Sequence, residues 1–349
     1  MKKGLVLEGG GVKGSYQIGA YYAFKESHIK IDGFVGTSIG SFNAAMLASG
    51  KERELLEYWY NIDPGKILGF DDRFSDSFNS KFDVNALIGA FATFKDILLN
   101  LGIRDDYLRE EINRLVNFND LIKSSKDFGL VTCNLSKMKP VYVYKQDIQG
   151  QKDLVEYITA SCYLPGFKQK KVIDNSYYVD GGFYDNAPIK LLDDLNYDMV
   201  YVIDIHGIGF IRKGKYKAKV KLIEPSRKNG SILEMNKKII RDNILMGYYD
   251  ALRVIKNYDG YKYCFKRKSD WYYKFITRKV DKKLIRRLSN FFGVDSLREI
   301  VIKSLEYVMD KDNYYYYYVY NVSKCIKDYR NNDEKQFVYK FVSKLKFLW

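Results

Sequence analysis

Only two histidines occur in the 349 residues, and that scarcity narrows the chemistry open to the chain. His28 and His206 leave few ways to build a serine–histidine triad or a multi-imidazole metal site. Cysteine is nearly as rare. Cys133, Cys162, Cys264 and Cys325 stand far apart without a CxxC pair or metal-ligand spacing, so reduced thiols are expected rather than a disulfide scaffold. Proline occurs only five times, and a content of 46% hydrophobic residues excludes a disordered or fibrous chain. Long apolar runs are missing as well: Lys, Arg, Asp or Glu interrupts each one before the ~20 residues that cross a bilayer. The start, MKKGLVLEGGG, offers only GLVL before Glu8, far short of a secretory apolar core. These absences predict a soluble, cytoplasmic protein with one large α/β domain and a smaller second unit.

Charge is plentiful but uneven. Residues 1–205 carry 24 Lys+Arg against 28 Asp+Glu, whereas residues 206–349 carry 34 against 15. The net charge of +15 therefore resides in the last two-fifths, and the step predicts a domain 1–205 followed by a basic extension 206–349. That extension reads as helical in DKKLIRRLSNFFG, SLREIVIKSLEYVM and KQFVYKFVSKLKFLW.

In the first part strand and helix patterns alternate, the mark of a mainly parallel sheet with helices on its faces. Strands are predicted at Lys3 to Glu8, Ile31 to Val35, Gly129 to Cys133, Val141 to Tyr144, Tyr177 to Val179 and Asp198 to Ile205. Helices are predicted at Ser15 to Ser27, with Ser15 as cap, and at Ser41 to Ser49. Residues 52 to 125 read as mostly helical through RELLEYWY, ATFKDILLNL and DDYLREEINRLV.

Three motifs carry chemistry. GGGVKG, Gly9 to Gly14, follows a strand and opens a helix, so several amides can converge on one anion. It also fits G-x-G-x-x-G, but a dinucleotide site wants an acidic residue closing the second strand, and Asp32 opens it instead. GTSIG, Gly36 to Gly40, lies between a strand and a helix, where the glycines permit a sharp turn that exposes Ser38 as a nucleophile. The two motifs are 22 residues apart from Gly14 to Gly36, which puts a nucleophile and an anion cradle on adjacent strands.

A serine nucleophile needs a base. His28 sits between a helix and a strand beside Lys30 and reads as a surface residue. His206 would complete the order Ser38, Asp180, His206 of an α/β-hydrolase, yet in that fold the serine elbow follows several strands rather than an early one. The third motif, YYVDGGFYDNAPI, supplies a carboxylate. Asp180 ends a strand, and Gly181 and Gly182 allow a tight turn. An aspartate of ordinary pKa, about 3.9, is a weak base, so it must be held against the hydroxyl in a partly dry site.

The trio GGGVKG, GTSIG and DGG resembles the patatin-like phospholipase family over residues 3 to 205. ITASCYLPGF, Ile158 to Phe167, is similar to a family segment with serine and proline at this place, and Asn186 with Pro188 adds to the likeness. Lys13 departs mildly from the arginine of many members, keeping the charge without a bidentate fork. The resemblance implies an α/β fold with a mainly parallel sheet, Ser38 as nucleophile, Asp180 as base, and an oxyanion hole in Gly9, Gly10 and Gly11. Gly14, Gly36, Gly40, Gly181 and Gly182 would shape the turns. It further implies two-step acyl transfer through an acyl-serine, a phospholipid or other acyl-ester substrate, and no metal or organic cofactor.

Two other classes stand beside this reading. A nucleotide-binding protein would use Gly9 to Gly14 for phosphates and leave Ser38 idle. A catalytically silent lipid- or nucleic-acid-binding protein would rest on the basic portion alone. That portion predicts peripheral docking on an anionic inner membrane surface through Lys213, Lys215, Lys217 and Lys219, with Tyr314 to Tyr318 and Phe347, Leu348 and Trp349 at the interface. No nucleic-acid-reading motif accompanies the charge.

Overall fold

A computed structural model of the chain describes residues 1–63, 106–163, 173–330 and 336–346. It divides into two compact units, Met1–Tyr248 and Tyr249–Trp349.

The first unit is built on a sheet. β1, Lys3–Leu7, leads through a glycine turn into α1, Ser15–Glu26, and then β2, Gly33–Thr37, leads through Ser38 into α2, Ile39–Ala48. Helices α3, Glu52–Asn61, α4, Asp106–Leu115, and α5, Phe118–Lys123, precede β3, Asp127–Asn134, and β4, Lys139–Tyr144. After α6, Gln151–Ser161, come the short strand β5, Tyr178–Asp180, helix α7, Ile189–Asp193, and strands β6, Met199–Ile203, and β7, Lys219–Ile223. Helix α8, Lys237–Ile255, spans the division between the units.

The strand order is β4-β3-β2-β1-β6-β7, with β5 on β3. Strands β3, β2, β1, β6 and β7 run parallel, and β4 and β5 are antiparallel to β3. A parallel sheet covered on both faces needs strands that are apolar throughout, which explains why β1 and β2 are almost entirely buried. One face, carrying Val6, Val35, Val131, Val200 and Val202, packs under α7. Helix α2 packs on β1, β2 and β3.

Several sequence expectations shift. Ser15 is the first residue of α1 rather than its cap; Gly14 occupies the cap position, and the Ser15 hydroxyl is buried without a partner. The charge step at residue 205 falls inside the first unit, because β7 extends the sheet and residues up to Tyr248 pack with it. The strand expected to reach Ile205 ends at Ile203. ATFKDILLNL and the terminal Phe347, Leu348 and Trp349 lie outside the described residues. Among the described residues, no helix is long and apolar enough to cross a membrane.

The second unit is helical, with α9, Asp270–Thr277, α10, Lys282–Phe292, α11, Leu297–Lys311, α12, Val322–Asp328, and α13, Phe337–Lys344. A pair of two-residue parallel strands, β8, Cys264–Phe265, and β9, Val319–Tyr320, joins them. Its core is aromatic and aliphatic, centred on Tyr263, Phe265, Tyr273, Ile300, Leu305, Tyr339 and Phe341. The run Tyr314 to Tyr318 is split: Tyr314 and Tyr316 pack against this core, whereas Tyr315 and Tyr318 are exposed.

Candidate active site

Register alone brings the three motifs together. Leu7 of β1 pairs with Gly36, Thr37 pairs with Val131, and Thr132 pairs with Asp180. The residues just past the C-terminal ends of β1 and β2 and the last residue of β5 therefore share one edge of the sheet. Ligands and reacting groups collect at this edge in open α/β sheets because the loops leave the strands here.

The Ser38 backbone is strained, with φ 54° and ψ −131°, a conformation uncommon for a residue with a side chain and frequent at serine elbows. The chain around it tolerates no bulk. A Cβ on Gly40 would come within 2.1 Å of Leu7 O, so the turn packs directly against β1. Thr37 Oγ1 donates to Asp185 O at 2.8 Å, and the Ser38 amide donates to Ser161 Oγ at 2.8 Å. Ser161 Oγ in turn donates to Val131 O at 2.6 Å. These bonds hold Ser38 in its unfavourable conformation while leaving it only partly buried.

Asp180 is buried at the end of β5, and its amide donates to Tyr163 O at 2.8 Å. Its Oδ1 accepts the Gly182 N–H at 2.8 Å. Oδ2 has no partner of good hydrogen-bond geometry, yet the Ser38 hydroxyl lies near enough to stabilise the ionised carboxyl. Such a contact is loose in a resting site and tightens when substrate arrives. Burial dominates the balance and pushes the Asp180 carboxyl up to about 6, against the opposing effect of Ser38 and the Gly182 amide. Cys162 sits in the same pocket, close to Ser38 and Asp180, and burial pushes its thiol up, so it is inert.

The glycine loop leaves fewer free amides than the motif allows. Gly9 N–H donates to Asn186 O at 3.3 Å, Val12 N–H to Ile232 O at 3.1 Å, and Lys13 N–H to Gly10 O at 3.3 Å. Gly9 is thus committed within the fold, contrary to its expected place in the hole. Among the described residues the Gly10 and Gly11 amides have no acceptor. Gly11 has φ 57°, and a Cβ there would meet Ile232 O at 2.3 Å. Behind the loop, Gln17 Nε2 donates to Glu8 O at 2.7 Å, and Asn43 bridges Gly14 O, Gln17 and Trp59.

Glu8, Asn186 and Ser161 tie the three motifs to one another, which the motifs alone did not reveal. Glu8 Oε1 accepts from Asn186 Nδ2 at 2.9 Å, and Oε2 accepts the amides of Ile205 and Gly207 at 2.7 and 3.2 Å. Asn186 Nδ2 also donates to Gly9 O at 3.1 Å, tying the Asp180 turn to the glycine loop. Burial and the adjacent Asp204 carboxylate push Glu8 up to about 8. The sequence signal for Glu8 was an acid placed between an apolar strand and the glycines.

Lys13 is buried, and its Nζ donates to His206 O at 2.9 Å. Burial lowers its pKa while Glu8 and Asp204 oppose the change. His206 lies beyond β6 with φ 52°, and its half-exposed imidazole faces Glu224 with Nε2 and Oε2 3.8 Å apart. His28 is exposed at the end of α1. Donor atoms of Asp204, His206 and Glu224 lie within 4.8 Å of one another. Asp204 is already engaged with Glu8, and the other two are exposed.

The sequence profile described as patatin-like phospholipase matches residues 5–193. Lysophospholipase nte1 of Aspergillus terreus is 27% identical over 209 residues, covering 59% of this chain and 12% of that protein. Lysophospholipase NTE1 of Pyricularia oryzae is 28% identical over 210 residues, with 58% and 12% covered. The chain therefore matches only about an eighth of the length of these relatives. Among solved structures, VipD from Legionella pneumophila aligns with a TM-score of 0.47 and 14% identity, covering 98% of this chain and 83% of that one. The type III effector protein ExoU aligns with a TM-score of 0.40 and 13% identity, covering 98% and 71%.

Proposed function

Because the chain belongs to the patatin-like phospholipase family, we propose that it is a serine lipid acyl hydrolase working through Ser38 and Asp180. The observation that carries this reading is the convergence, at one sheet edge, of a strained, reachable serine and a buried carboxylate with an open oxygen. Asp180 accepts the Ser38 proton as Oγ attacks the ester carbonyl. The carbonyl oxygen becomes an oxyanion facing the Gly10 and Gly11 amides, where each donor contributes ~10²–10³ in rate. The alcohol leaves with that proton, and an acyl-serine remains. Water then attacks the acyl carbon, giving its proton to Asp180, which passes it to Ser38 Oγ as the fatty acid leaves.

The substrate class is a phospholipid or another acyl ester, in keeping with the relatives named lysophospholipase. A nucleotide reading fits less well. Only two loop amides are free, enough for one oxyanion but few for a pyrophosphate, and Lys13 is engaged with His206 O. Association with an anionic membrane surface belongs to the same reading, since the substrate resides there.

The test is a fluorophosphonate probe followed by mapping of the modified peptide. Modification at Ser38, lost in Ser38→Ala, is expected. Modification at a different serine, or full ester hydrolysis by Asp180→Asn, would sink the dyad.

A further inference from the structure

The segment that follows β6 supplies no reacting group to the proposed acyl transfer, yet its construction is unusual. From Gly207 to Ile223 it carries Arg212, Lys213, Lys215, Lys217, Lys219 and Lys221 and no acidic residue. Its backbone is fastened to the turn that bears Asp180. Phe210 N–H donates to Gly182 O at 2.8 Å, and Phe210 O accepts the Asn186 N–H at 2.7 Å. Arg212 Nε donates to Tyr184 O at 3.3 Å, and its guanidinium lies 3.7 Å from the centre of the Tyr184 ring.

The side chains do the opposite of the backbone. Ile208, Phe210 and Ile211 are 37%, 70% and 46% exposed, although a loop free to move would fold such residues inward. A pinned backbone holding three apolar groups in water, next to exposed Arg212, Lys213 and Lys215, presents an apolar tip with a cationic flank.

We propose that Gly207–Lys215 is the docking element for an anionic lipid surface. Ile208, Phe210 and Ile211 enter the acyl boundary, while Arg212, Lys213 and Lys215 meet lipid phosphates. The proposal rests on the lipid-hydrolase reading and gives its interfacial step a place. The complementarity is twofold: anionic head groups match the cations, and acyl chains match the tip. A second copy of the chain would set like charges against each other, and nucleic acid would leave the apolar groups in water. The two bonds to Phe210 make the location consequential, because docking there sets the Asp180 turn at the lipid surface.

Sedimentation with vesicles of phosphatidylcholine, alone or with phosphatidylglycerol, tests this on the full chain carrying Ser38→Ala, so that binding is read without turnover. Binding to the anionic vesicles only is expected, weakened about fivefold or more for each charge removed in Lys213→Glu with Lys215→Glu. Phe210→Ser with Ile211→Ser is expected to weaken it about tenfold or more. Phe210→Trp should emit further to the blue on anionic vesicles and be quenched by brominated acyl chains. In the active chain, vesicle phospholipid hydrolysis should fall in step with binding in the Phe210→Ser, Ile211→Ser variant, while hydrolysis of a dissolved short-chain ester stays within about twofold.

The proposal is overturned by absence of anionic-vesicle binding, or by binding that survives both double variants with Phe210→Trp unquenched. Self-association abolished by Phe210→Ser would give the face to a second copy, and binding of a DNA strand as tight as that of vesicles would give it to a different polyanion. Vesicle binding that behaves as expected in a chain without ester hydrolysis would instead remove the hydrolase reading and leave the docking element standing.

Discussion

Asp180 in the unit Met1–Tyr248 and Glu306 in the unit Tyr249–Trp349 are both buried acids whose pKa burial raises. Asp180 has one oxygen on the Gly182 amide and the other without a partner. Glu306 Oε1 instead accepts three successive amides, Tyr261, Lys262 and Tyr263, at 2.6, 2.7 and 3.0 Å. In the helical unit the acid organises a loop. In the sheet unit an uncommitted lone pair faces a serine. Burial by itself therefore does not set Asp180 apart; an open oxygen beside Ser38 is what the proposed mechanism needs and Glu306 lacks.

The largest expected effect tests that contrast at its centre. Ser38→Ala and Asp180→Asn should each reduce ester hydrolysis by about 10⁴-fold or more, with far-ultraviolet circular dichroism unchanged. Asp180→Asn should also stabilise the fold at pH 7 by about 1–3 kcal/mol, measured by urea denaturation, because the wild-type carboxyl is raised from 3.8 to about 6. The sign follows from that raised value. The folded chain holds its proton to higher pH than the unfolded chain, so the cost of burying the charge is absent below about pH 4 and complete above about pH 6. Activity runs the other way, since only the ionised form accepts the serine proton. kcat/KM should fall about tenfold per pH unit below about 6, and a flat profile down to pH 4 would remove Asp180 as base.

Next in size is Gly11→Ala, which forces a side chain onto Ile232 O at a residue with φ 57°. Displacing one oxyanion amide should lower kcat by about 10²–10³ with KM little changed. An intact rate would show that the Gly11 amide is not a donor in the hole.

Smaller and more diagnostic is the pair Glu8→Gln and Glu306→Gln. Each replaces an oxygen accepting amides with a group that can donate, a loss of about 1–3 kcal/mol that offsets the relief of no longer burying a charge, so each variant should stay within about 2 kcal/mol of the wild type in urea denaturation. Only Glu8→Gln should also lower kcat, because Glu8 and Asn186 hold the loop next to Gly10 and Gly11. Equal catalytic losses in both variants would erase the distinction between the units. The smallest change is expected at His206→Gln, less than about tenfold, with a chelator leaving activity unaltered. A loss as deep as that of Ser38→Ala would restore the histidine as base, and recovery of a chelated enzyme by added calcium would make Asp204, His206 and Glu224 a working site.

Much of the fold was legible from local pattern. Strands β1, β2, β3 and β6 each hold a short apolar run, and the glycine-rich turns that begin at Gly9 and around Ser38 follow the ends of β1 and β2. β7 escaped notice because Lys217, Lys219 and Lys221 read as a basic tract. As an edge strand it exposes Lys219 to Leu222, so no apolar run announces it. Tyr314 and Tyr316 escaped for a related reason, since an amphipathic ring fits an interface and a core equally well until its neighbours are known.

By itself the sequence singled out the groups of the proposed mechanism, because chemistry depends on residue type and on the local turn: a serine between two glycines after a strand, an aspartate before two more, and too few histidines for the usual base. Tertiary structure decided which atoms are free to act. That Gly9 is committed to Asn186 while Gly10 and Gly11 stay open, and that Glu8, Asn186 and Ser161 hold the site, follows from bonds between residues far apart in the chain. The burial that raises Asp180 is likewise a property of the assembled sheet, since desolvation is set by everything packed around a group and not by the residues beside it in sequence.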